Sequence, residues 1–327
     1  MALSRRELIK MTGLLAMGLG ASAPAQAAPL TKLTLQLDWL LTTQFAGLMV
    51  AETEGLYQQR GLAISLRPAS ADVDVVDAGA TRSDTLGCVE QAVLLGAQAE
   101  GAEVSAVATM LQASPLALIS AARSPLRTPK DLIGKHIGLH EDGLKALDLV
   151  LTKHDIDLNQ VDRTLIPYTD KFEPLTSGQF DAIQCYALDE PLDYSRQTGR
   201  EPALLKLSDF GFDAYAQVIF ASNRLLAERP QTVQQFLSAT FEGWQQALDD
   251  MPATAALITT QYKDSNVADA AYQRETLQRL KSYVLADEAQ PGLIASARWW
   301  RAAQQLADCG LIQSVPQQGL WSAGWVC

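Results

Sequence analysis

Residues 33–70 read as strand, polar loop, helix, glycine turn and strand, a unit that buries its apolar side within an α/β sheet of parallel strands. Leu33, Leu35 and Leu37 alternate with Thr34 and Gln36, the two-residue period of a strand. A helix is expected over 45–60, closed at Gly61, where a left-handed cap needs no Cβ. Between strand and helix stand Asp38, Trp39 and Gln44, with Phe45 opening the helix. Ligands of open α/β sheets bind at the carboxyl ends of strands, which is where these residues fall. The alternative is structural, with Trp39 in the core and Asp38 capping the turn.

The same alternation runs on. Strands are expected at 63–67, 84–88, 104–111, 115–121, 136–139, 182–186 and 216–222. Helices are expected between them at 73–78, 90–100, 129–132, 143–154 and 172–177. From Gln231 onward the chain is mainly helical, with amphipathic runs at 233–249, 253–262, 272–284 and 294–309. This pattern argues for an α/β protein with mostly parallel sheets. The layout suggests two lobes, one from 28–115 with 217–327 and the other from 116–216, joined by crossover strands near Leu116 and Val218. Two lobes on two strands make a hinge around a cleft.

Residues 1–27 have the composition of an export signal. Arg5, Arg6 and Lys10 precede a short Gly- and Ala-rich apolar run and the small-x-small site Ala25-Gln26-Ala27. The string from Ser4 to Lys10 resembles a twin-arginine signal, the alternative being an ordinary secretory one. The mature chain is then expected to start at Ala28 and to be a periplasmic monomer that does not span the membrane. A net charge of −11 makes nucleic acid a poor partner. Cys88 and Cys185 are expected as buried thiols, leaving Cys309 and Cys327 as the one pair close enough in sequence to consider for a bridge.

Further motifs follow in order: Gln36-Leu37-Asp38-Trp39 with Gln44-Phe45-Ala46-Gly47, then Leu111-Gln112-Ala113-Ser114-Pro115, then Thr128-Pro129-Lys130-Asp131-Leu132. Gly178-Gln179-Phe180-Asp181-Ala182 and Ala221-Ser222-Asn223-Arg224 complete the set. Together they resemble a family of periplasmic solute-binding proteins, the SsuA/THI5-like substrate-binding proteins of ABC transporters. That family contains bacterial binders of thiamine pyrimidine precursors and their fungal relative, thiamine pyrimidine synthase. The resemblance covers nearly the whole mature chain and is specific to the family, not to a ligand. It implies a type II periplasmic-binding-protein fold that closes on a small molecule, with an inner-membrane ABC permease as partner.

The synthase of this family uses a lysine-bound pyridoxal phosphate, an active-site histidine, and iron held near a cysteine-rich run. At the matching places this chain has Val89 and Val93, and residues 212–216 contain no cysteine. A Schiff base needs an amine, so no catalytic residue, cofactor or metal is expected. The histidines lack metal-site spacing, and no Gly-x-Ser-x-Gly elbow or P-loop follows the signal.

The expected ligand is a small flat heteroaromatic solute such as a thiamine pyrimidine precursor. Trp39 and Tyr215 offer stacking faces, and Asp38 and Glu190 can accept from an amino group. Gln44, Gln91 and Gln112 both donate and accept, while Tyr186 and Asp189 follow a strand end in the middle lobe. Glu141 opens a helix whose free N–H groups suit an oxygen, and Phe45 and Ser114 come with the matching motifs. For each the alternative is a structural role. Riboflavin or a sulfonate or nitrate is the second reading, with Lys145 and Arg163 as the only candidate cations. An enzyme of thiamine pyrimidine formation is the third.

Overall fold

A computed structural model describes residues 29–321 apart from 71, 168–171, 264–266, 268 and 287–289. The expected export signal and Cys327 lie outside the described residues. Among the described residues, ten strands form two five-stranded sheets. The first holds β1 (Thr31–Leu37), β2 (Leu62–Arg67), β3 (Thr85–Val89), β4 (Val104–Leu111) and β10 (Ala216–Ser222), in the order β2-β1-β3-β10-β4. The second holds β5 (Leu116–Ser120), β6 (His136–Leu139), β7 (Asp162–Leu165), β8 (Ala182–Tyr186) and β9 (Ala203–Lys206), in the order β7-β6-β8-β5-β9.

Each sheet has one reversed strand. β1 pairs in parallel with β2 and β3, and β6 with β7 and β8, whereas β10 and β5 run antiparallel to both their neighbours. The physical reason is the connection. β5 and β10 enter their sheets directly from the other sheet, without the helical crossover that a parallel neighbour requires. The result is the expected two-lobed α/β fold, with two mixed sheets joined by two crossing strands.

Twelve helices cover the sheets among the described residues. They are α1 (Ala46–Thr53), α2 (Leu56–Gln59), α3 (Val75–Thr81), α4 (Gln91–Ala99), α5 (Glu141–Lys153), α6 (Phe172–Ser177), α7 (Glu190–Thr198), α8 (Asn223–Glu228), α9 (Pro230–Asp249), α10 (Met251–Gln261), α11 (Ala270–Val284) and α12 (Ser296–Asp308). The single helix expected over 45–60 is instead a 3₁₀ turn, α1 and α2. The chain breaks at Gly55, whose φ of +70° is a left-handed conformation that a glycine adopts without steric cost. The short strands β7 and β9 and the helix α7 add to the elements read from sequence. Cys88 and Cys185 are buried free thiols.

The two links between sheets lie side by side. Ser114 N–H donates to Ala214 O at 3.0 Å, joining the outgoing segment 112–115 to the returning segment 212–215. Arg298 on α12 holds both: it donates to Gln112 O at 2.6 Å and to Asp213 at 2.8 Å, and its guanidinium lies 4.2 Å from the Tyr215 ring centre.

The first lobe's core depends on a close helix pair. α1 meets α9 where Gly243 sits over the backbone of α1; a Cβ there would lie 2.3 Å from Gly47 O and 2.9 Å from Ala51 N. Backbone cannot retreat as a side chain can. Gly243→Ala is therefore expected to cost about 1–3 kcal/mol, read as a lower urea midpoint with an unchanged slope.

Candidate functional site

The carboxyl ends of β1, β6 and β8 meet across a cleft between the lobes. Asp38, Trp39 and Gln44 line it from the first lobe; His140, Asp142, Gln184, Cys185, Tyr186 and Glu190 line it from the second. Its empty space is about 360 Å³, counting the mouth.

Local structure explains each position. β1 ends at Leu37 and delivers Asp38 and Trp39 straight to the cleft. The Trp39 ring packs on the first lobe's core and lies 5.7 Å from the His140 ring across the gap, tilted by 54°. His140 follows β6 and starts α5. Its Nδ1 lies 3.0 Å from Ile166 O, so Nδ1 carries the proton and donates. Gln184, buried on β8, accepts from His140 N–H at 2.9 Å and donates to Asp142 Oδ1 at 2.9 Å. Gly143 makes room for it, since a Cβ there would lie 2.0 Å from Gln184 Oε1. Glu190 turns back to accept Tyr186 N–H at 2.5 Å.

Behind this wall is Glu90, fully buried at the end of β3. The Tyr186 hydroxyl donates to Glu90 Oε1 from the other lobe, and Glu90 Oε2 has no hydrogen-bond partner. Burial pushes the Glu90 carboxyl well above the usual range; the Tyr186 hydrogen bond pulls it back, and the Asp142 and Asp38 charges raise it further. Asp38 is likewise pushed well up, first by burial and then by the Asp142 charge. The Tyr186 hydroxyl also titrates well above its ordinary value, through burial and these acids.

No lysine or arginine is among the described residues that line the cleft. Arg163 pairs with Asp148, and Lys145 packs over Gly96. The cleft therefore presents carboxylates from both lobes, the rings of Trp39, His140 and Tyr186, two glutamine amides and, among the described residues, no lysine or arginine.

The residues singled out from sequence divide by position. Asp38, Trp39, Gln44, Tyr186 and Glu190 come together at the cleft. Phe45 is fully buried in the first core. Gln91 Oε1 accepts Tyr215 N–H at 2.8 Å, and Gln112 Nε2 donates to Gln290 O and Leu293 O at 3.2 and 3.0 Å. Ser114 Oγ accepts Leu116 N–H at 3.3 Å, and the Tyr215 hydroxyl accepts Ala295 N–H at 2.9 Å beside Arg298. Asp189 caps α7, and Glu141 is exposed on the first turn of α5. His140, Asp142, Gln184, Cys185 and Glu90 were not singled out. His140 follows β6 as Asp38 follows β1, and Gln184 is a polar residue inside a buried strand; both are signals the sequence carries.

Glu90 also sets a pH dependence. A carboxyl raised on folding contributes stability that is present below its unfolded pKa, near ~4.3, and is lost as pH rises through the folded value. Glu90→Gln keeps the acceptor for Tyr186 and removes the charge. It is expected to melt at least about 2 °C above wild type near neutral pH, with the gap closing toward about pH 4.

Comparisons with known proteins agree with this architecture. The riboflavin-binding protein RibY of Chloroflexus aurantiacus is 25% identical over 304 residues, covering 90% of this chain and 85% of that one. The 4-amino-5-hydroxymethyl-2-methylpyrimidine phosphate synthase of Legionella pneumophila is 22% identical over 224 residues, covering 65% of this chain and 68% of that one. Among solved structures, the alkanesulfonate-binding protein SsuA from Xanthomonas axonopodis pv. citri, bound to MOPS, superposes with a TM-score of 0.71 at 19% identity, covering 91% of this chain and 100% of that one. The two-sheet architecture is thus that of periplasmic binding proteins. The NMT1/THI5 like family matches residues 42–255, and the chain belongs to it.

Proposed function

We propose that this protein is an exported solute-binding component of an ABC importer. Its two lobes close on a single flat ring that carries amino groups or protonated ring nitrogen, such as a thiamine pyrimidine precursor. The observation that carries this reading is the charge of the cleft: Asp38, Asp142 and Glu190 face it, Glu90 stands behind, and no lysine or arginine is among the described residues that line it. Carboxylates accept from N–H donors and repel sulfonate or nitrate. The fold shared with SsuA therefore does not carry over its ligand class.

Size and shape support one ring. The cleft is tight, its empty space of about 360 Å³ including the open mouth. Trp39 supplies the stacking face, and such contacts contribute about 0.5–1.5 kcal/mol beyond burial. Riboflavin is the second reading, favoured by the span of the RibY match, which covers 90% of this chain.

Synthase chemistry fits poorly. Pyridoxal phosphate needs a lysine, and none of the described residues that line the cleft is one. Val89 is a buried strand residue and Val93 a half-buried helix residue; neither offers an amine or a metal ligand. We therefore place this chain with the binding members of its family.

A thermal-shift panel at neutral pH tests the reading. 4-amino-5-hydroxymethyl-2-methylpyrimidine is expected to raise the Tm and an alkanesulfonate to leave it unchanged. Trp39→Ala and Glu190→Gln should each weaken pyrimidine binding at least about tenfold, equivalent to ~1.4 kcal/mol. Stabilisation by the sulfonate and not the pyrimidine would overturn the proposal. Stabilisation by riboflavin alone would replace the first reading with the second.

A further inference from the structure

Glu90 joins three parts of the molecule. It follows β3 in the first lobe and accepts the Tyr186 hydroxyl of the second lobe. It also faces the backbone N–H of Gln217, at the start of the returning strand β10. Gln217 itself is held at φ +51°, an uncommon conformation for a residue with a side chain. Whatever changes the charge of Glu90 is therefore felt at the far wall of the cleft and at the link between lobes.

The titratable groups nearest it are acids, a thiol and a phenol, with the His140 imidazole on the second wall. Asp38 approaches from the end of β1 and Asp142 from the first turn of α5; Cys88 lies on β3 and Tyr186 on β8. His140 and Glu190 complete the second wall. Glu90 and Asp38 belong to one lobe and Asp142 to the other, so shutting the cleft brings like charges together. It also takes Glu90 wholly out of water, with Oε2 unpartnered. A buried carboxylate in that setting is costly unless it is neutralised or paired.

We propose that Glu90, Asp38 and Asp142 form a charge gate: the cleft shuts only when Glu90 takes up a proton from solvent or when the solute brings positive charge or N–H donors to the three acids. This rests on the reading of the protein as a two-lobed binder. The proton sits on Oε2, leaving Oε1 to accept from Tyr186. At neutral pH the empty protein is held open by its own acids. A loaded protein closes, and an anion cannot close it. The closed form thereby signals occupancy to a membrane partner, and the acids choose the solute's charge.

The gate can be read without any ligand. Small-angle scattering of the ligand-free protein from about pH 4.5 to about pH 8 should show a compact form at acid pH. The radius of gyration should grow by about 0.5–1 Å toward neutral, on a value near ~19 Å. Glu90→Gln should stay compact throughout, with circular dichroism showing an unchanged fold, and Asp142→Asn should shift the transition to higher pH. Isothermal titration with 4-amino-5-hydroxymethyl-2-methylpyrimidine, in buffers of different ionisation enthalpy, then reads protons exchanged on binding. The proton stoichiometry should change in Glu90→Gln.

A wild-type radius that does not vary with pH, or one that varies identically in Glu90→Gln, overturns the gate. If that happens while the pyrimidine binds, the functional reading stands and the gate falls. If acid closure depends on Glu90 and no pyrimidine binds, the gate stands and the pyrimidine reading falls.

Discussion

Two chain segments, 112–115 and 212–215, carry every covalent connection between the two sheets, so how they are held fixes where one lobe sits against the other. They run antiparallel and are tied by Ser114 to Ala214. Arg298 binds a carbonyl and a carboxylate around them and stacks on Tyr215, fastening both to the C-terminal helix of the first lobe. Gln91 and Gln112 satisfy backbone groups on either side. Buried backbone that is neither helix nor sheet must find such partners. This is why several polar residues that could have faced a ligand are spent on the links.

That constraint also orients the site. With the sheets joined at their crossing strands, the carboxyl ends of β1 and β3 face those of β6 and β8. Strand ends and helix starts then supply the cleft: Asp38, Glu90, His140, Asp142 and Glu190 each stand at the end of a strand or the beginning of a helix. The acids come from both lobes, so the cleft's electrostatics depend on how far it is shut. On the proposed reading, recognition and closure are one event. A solute that brings positive charge or N–H donors offsets the repulsion and the loss of hydration together, whereas a sulfonate adds to the repulsion.

Much of the fold was legible because its strands alternate or run apolar between glycine and polar turns. β4, β6, β8 and β10 appear where their periodicity placed them. The break at Gly55 was not legible, since Glu54-Gly55-Leu56 sits in an otherwise continuous helical pattern. Nor were β7 and β9, four-residue edge strands, of which β7 is mostly exposed and lacks an inward apolar face. Strand-end position placed Asp38 and Trp39 at the cleft, which they line. Position alone could not distinguish Gln44, which reaches the cleft, from Gln91 and Gln112, which reach backbone. The same amide serves either purpose. Glu90 was hidden for a different reason: as the first acid of a helix it reads as a solvated cap, and only the packing of two sheets buries it.

On the proposed reading, acids from both lobes receive a flat, donor-bearing ring between them. A crystal structure with 4-amino-5-hydroxymethyl-2-methylpyrimidine tests it most directly. The ring is expected to stack on Trp39, with its exocyclic nitrogen within hydrogen-bond reach of Asp38, Asp142 or Glu190. A ring bound away from these carboxylates, or a cleft that takes an anion in its place, would contradict it.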